Sequence, residues 1–160
     1  MHRSVERDGT GRGAIAAVSR NGLASFFGGE LGELLLSERI PWTVRLRGAS
    51  KVEADLRRLR LAGFEIAGGA SEVGVRLPWP AGTVPVTLRG GASKLRVTLP
   101  AGVPFRFLAR DGASSLTIDR LQLGAVGGEV RWESPDYASS RNRYDLDLRG
   151  GASELSVLPE

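Results

Sequence analysis

Cysteine is absent from the 160 residues, which excludes a disulfide framework, thiolate metal sites and a cysteine nucleophile. Histidine occurs once, as His2, so a Ser-His-Asp triad, a histidine metal centre and a histidine acid/base lack their defining residue. No apolar run reaches the roughly 18 residues of a spanning helix, so direct membrane insertion is not expected. The opening stretch MHRSVERDGTGRG is polar and lacks the apolar centre of a secretory signal. The expected location is therefore the cytoplasm or the cytoplasmic face of a membrane. A place in the cell envelope would need a targeting segment or a carrier protein. No cofactor is implied.

Glycine is abundant, with 22 residues, about twice ordinary usage. It recurs in a pattern. Gly-Ala-Ser stands at Gly48-Ala49-Ser50, Gly69-Ala70-Ser71, Gly91-Ala92-Ser93, Gly112-Ala113-Ser114 and Gly151-Ala152-Ser153, at intervals of 21, 22, 21 and 39 residues. The last interval is close to two periods and implies a degenerate copy near Gly127-Gly128. On either side apolar residues alternate, as in Val44 and Leu46 before the first tripeptide and Val52, Ala54 and Leu56 after it. The same holds for Val84, Val86 and Leu88 before the third and Leu95, Val97 and Leu99 after it. A period of two is the mark of half-buried strands. Glycine permits a sharp corner, alanine fits where two strands meet, and serine can satisfy a turn amide.

Two all-β folds satisfy this pattern. A single-stranded β-solenoid (β-helix) would have five or six coils of about 21 residues, with equivalent strands paired in parallel. An antiparallel sandwich or meander is the alternative. Identical corners at constant spacing favour the solenoid, because each coil must lie on the last. Stacked in register, Lys51, Glu72 and Lys94 alternate in sign, and Asp55 lies over Arg76. Residues 1–21 read as disordered or irregular, 22–41 as a weak first coil or cap, and 42–160 as the solenoid domain.

Charge is unevenly spread. Residues 42–110 hold 12 basic and 4 acidic side chains, whereas residues 111–160 hold 5 basic and 9 acidic. With the strand Leu155–Val157 near the end of the sequence, this asymmetry predicts self-association, as an end-to-end dimer or short oligomer. Another envelope-associated protein is the second partner considered. Mixed signs and the absence of an aromatic platform among the arginines argue against nucleic acid.

The units IAGGASEVGVRLP, LRGGASKLRVTLP and LRGGASELSV, with the terminal YASSRNRYDLDLRGGASELSV, resemble a bacterial group. It comprises proposed adhesin domains, toast-rack domains and the C-terminal domains of cell wall-active antibiotic response proteins. The bactofilins are a second resemblance. Both imply a β-helical scaffold, and the first implies a link to envelope systems. Neither implies catalytic residues.

Arg57, Arg58 and Arg60 cluster at the first return between strands and are candidates for contact with an anion or a partner; the alternative is a solvated corner. Trp79, between two prolines, is a candidate partner anchor or a residue packed over a corner. Trp42 and Trp132 fall in strand alternation and read as core or coil-end residues. Asp111, Asp119, Asp136, Asp145 and Asp147 could supply carboxylates for glycoside hydrolysis, but no pair has a spacing that predicts a flanked cleft. The function read from the sequence is a non-enzymatic scaffold or protein-interaction module, with binding of an anionic ligand or polysaccharide as the alternative.

Overall fold

The structure is a computed structural model that describes residues 38–160 and, before them, 3–4, 15–18 and 23–27. Most of the segments read as irregular (1–21) and as coil or cap (22–41) lies outside the described residues. The described strands are β1 (Arg3–Ser4), β2 (Ile15–Val18), β3 (Leu23–Phe27), β4 (Pro41–Asp55), β5 (Arg60–Arg76), β6 (Thr83–Arg89) and β7 (Ala92–Leu99). They continue with β8 (Phe105–Ala109), β9 (Ala113–Ile118), β10 (Leu121–Leu123), β11 (Val130–Glu133), β12 (Arg143–Leu148) and β13 (Ala152–Pro159).

Each unit has two legs joined at its glycine corner. β4 and β5 run through the corner unbroken, while β6 and β7, β8 and β9, and β12 and β13 are separated by it. Alternation puts one side of each leg inside: β6 reads exposed–buried along its length, as do β8 and β12 with half-buried outer residues. Phe64, Val86, Phe107 and Leu146 from the first legs join Val73, Val97, Leu116 and Leu155 from the second in one core. Trp42 belongs to that core, and Trp132 packs against it with its ring 4.5 Å from that of Phe105.

The single-stranded solenoid expected from the repeat is not what forms. The strands make one sheet whose main path, β1-β2-β3-β4-β5-β6-β12-β8-β11, passes through nine strands in mixed order and curls as an open half-barrel. Three observations overturn uniform coils. First, the last unit leaves sequence order: β12 pairs in parallel with β6 on one side and β8 on the other, and β13 likewise with β7 and β9. Second, β1, β2 and β3 pair with one another antiparallel. Third, the degenerate copy expected near Gly127-Gly128 is no coil, because the chain has already reversed before it. After β9 a two-residue turn, with Asp119 at φ 53°, sends β10 back along β9. β11 then runs antiparallel to β8.

This fold-back accounts for the insertion. β10 and β11 occupy the outer edges of β9 and β8, so the last unit finds free amides only on their inner edges, against β6 and β7. The corner alanines consequently stack in the order Ala49, Ala70, Ala92, Ala152, Ala113.

Candidate interaction surface

Opposite the glycine corners, the returns between units form the second edge of the body. Trp79 lies there, 62% exposed, between buried Pro78 and Pro80. Two prolines fix their own φ angles and offer no amide, so the indole stands on a stiff support. The buried Tyr144 hydroxyl pins that support by donating to the Pro78 carbonyl at 2.7 Å. Burial pushes the Tyr144 phenol well above its ordinary pKa, which keeps it a donor.

The connection from β11 to β12 braces the same corner. Gly82 N–H donates to Asn142 Oδ1 at 2.9 Å, and Arg143 N–H donates to the Gly82 carbonyl at 3.0 Å. The Arg143 side chain donates to the Tyr137 carbonyl at 2.7 Å, and its guanidinium lies 4.5 Å from the centre of that residue's ring. Arg106 approaches the same ring at 5.0 Å. Sequence reading missed this brace. Its signal was available, since 134–142 is the one long stretch after Gly48 that matches no part of the repeat.

The arginine cluster divides. Arg57 is held by Asp55 at 2.6 Å and by Glu160 at 3.3 Å. The hydrogen bond from the Arg57 side chain draws the Asp55 carboxyl down to about 2. Arg57 is thus internally neutralised. Arg58 and Arg60 are exposed and make no ion pair among the described residues. The ladder brings Arg58 and Trp79 to one edge: Asp55 pairs with Arg76, Leu56 N–H donates to the Arg76 carbonyl, and each residue follows three positions later.

Two other concave surfaces carry no comparable feature. The Gly-Ala-Ser column forms an open trench of small residues. The outer face of β6, β12, β8 and β11 is a depression floored by Pro85, Thr87 and Leu108 and crossed by ion pairs. Arg106 holds Asp145 at 2.6 Å there, and Arg110 holds Asp147 at 3.1 Å. Both carboxylates considered for glycoside hydrolysis on this strand are thus tied to arginines. Among the described residues no group of three or more His, Cys, Asp or Glu side chains converges on a metal site, and no helix is long and apolar enough to cross a membrane.

Geometry and composition together define a β module with a stiff, tryptophan-bearing edge and, among the described residues, no assembled catalytic constellation. No family model and no curated protein matches the chain. The crystal structure of a proposed cell-adhesion protein from Clostridium sporogenes is similar, with a TM-score of 0.58 at 18% sequence identity over 86% of this chain and 70% of that one. Identity that low carries the fold alone: this chain shares that protein's β architecture, and no residue role transfers with it.

Proposed function

We propose that the protein is a non-enzymatic, adhesin-like module that binds a protein partner through its return edge, with Trp79 as the anchor. The observation that carries this reading is the indole itself. A large aromatic is left 62% exposed while its support is pinned by the Tyr144 hydrogen bond. Tryptophan is enriched among residues that dominate interface energies, and a preset corner lowers the entropy lost on binding. The likeness to a protein proposed to act in cell adhesion supports an envelope-associated setting over a free cytoplasmic one. Binding of an anionic small ligand by Arg57, Arg58 and Arg60 together is disfavoured, because Arg57 is already paired.

Photo-crosslinking in the native host tests this. A benzophenone side chain replacing Trp79 should give a covalent adduct of discrete mass. The same group replacing Gln122, exposed on β10, should give none. Absence of an adduct at position 79, or equal adducts at both positions, would contradict the proposal.

A further inference from the structure

We infer that the partner presents an acidic segment to the return edge, a conclusion that rests on the Trp79 reading above. Much of the basic charge of residues 42–110 is spent inside the molecule. Arg45 and Arg89 share Glu65, Lys51 faces Glu72, Lys94 faces Glu154, Arg106 faces Asp145 and Arg110 faces Asp147. The return edge is different. Two of its acids, Asp55 and Glu160, are engaged by Arg57, while Arg58 and Arg60 have no ion-pair partner among the described residues.

The brace adds a third cation that the sequence did not single out. Arg141 is exposed, makes no ion pair among the described residues, and immediately precedes Asn142, whose side chain accepts from Gly82. Trp79 is three residues before Gly82. The backbone register therefore brings Arg58, Trp79 and Arg141 to one edge of the body, with Arg60 at the start of β5 on the same edge. The segments 56–60, 77–82 and 137–142, which meet at this edge, carry these arginines and no acidic residue.

Guanidinium groups favour planar carboxylates, which they can hold through two hydrogen bonds, and the indole offers an apolar surface on the same edge. Three cations on the edge that carries one exposed tryptophan fit a short acidic peptide segment bearing an apolar residue. They are too few for the extended phosphate tracking of nucleic acid, which takes about 6–10 contacts in strong binders.

The test uses the full chain on an array of acid-rich, base-rich and neutral peptides, each with one apolar residue. Phosphatidylglycerol vesicles and sedimentation of the chain alone serve as comparisons. Binding is expected on acid-rich peptides, to weaken at about 0.5 M salt, and to fall at least roughly tenfold in Trp79→Ala and in the Arg58→Glu/Arg60→Glu variant. Circular dichroism of both variants should match that of the parent, since all three side chains are exposed. The inference is overturned if no acid-rich peptide binds, if basic or neutral peptides bind better, or if the variants bind as the parent does. Variant-sensitive binding to the vesicles in place of peptides would overturn it in favour of a lipid surface. Self-association abolished by Trp79→Ala would overturn it in favour of a second copy. A discrete crosslink at position 79 without acidic preference would leave the interaction module standing and remove only the acidic partner.

Discussion

Backbone crowding at the glycine corners sets what each unit tolerates. Gly90 lies at φ 138°, and a Cβ there would meet the backbone carbonyl of Gly68; a Cβ on Gly150 would in turn meet the carbonyl of Gly90. Three units thus touch backbone to backbone at this level. Gly90→Ala must strain φ and push apart a contact that no side chain can yield to. The expected cost is about 1–3 kcal/mol, read as a lower urea midpoint at unchanged slope. An unchanged midpoint would show that the corner relaxes freely. Trp79 is the opposite case, since its large exposure leaves little packing for truncation to remove.

The inserted strand β12 combines a buried apolar face with a charged outer one. Asp147 is flanked by Arg110 at 3.1 Å and Arg149 at 2.8 Å. Burial pushes its carboxyl up, but hydrogen bonds from Arg110 and Arg149 outweigh burial and hold it below 3.8. Asp55 is held at about 2. Groups depressed in the folded state favour folding above their unfolded pKa, and that contribution is lost as pH falls through the folded value. Stability should therefore decline as pH falls from about 4 towards about 2, and Asp147→Asn should decline less steeply than the parent. Equal slopes would mean that the Asp147 pairs contribute nothing to the fold. The same strand and its successor place Asp145, Asp147 and Glu154 of the acidic end against basic units of their own chain. β13 has a neighbour on each side, so the free edge invoked for end-to-end pairing through Leu155–Val157 does not exist.

At the scale of the whole molecule, the sequence made local structure and neighbour register readable but not the order of the units. Alternation identified the buried faces, and the Lys51–Glu72–Lys94 row appears in the ladder as the spacing implied. A periodic sequence specifies that equal corners stack. It does not say which unit lies on which, because every unit presents a similar alanine corner and similar apolar legs. The order follows from the reversal at Asp119, which fills the outer edges of β9 and β8, and ion pairs such as Lys94–Glu154, 60 residues apart, accompany it. At the return edge, Pro78-Trp79-Pro80 left an exposed indole and one packed over a corner both open, and the structure has it exposed. The loss of Arg57 to Glu160, at a separation of 103 residues, had no local signal.

The insertion of the last unit is the claim on which this architecture rests, and the absence of native cysteine gives it a direct test. Lys94 pairs in register with Glu154, and Glu154 with Ser115. Adjacent strands lie about 4.8 Å apart and alternate ones about twice that, whereas a disulfide needs Cα atoms within about 7 Å. Three double variants separate the possibilities: Lys94→Cys/Glu154→Cys, Glu154→Cys/Ser115→Cys and Lys94→Cys/Ser115→Cys. Under mild oxidation the first two should close as intramolecular disulfides in the folded chain, and the third should remain reduced. Closure of the third with the first left open would place the units in sequence order and contradict the insertion.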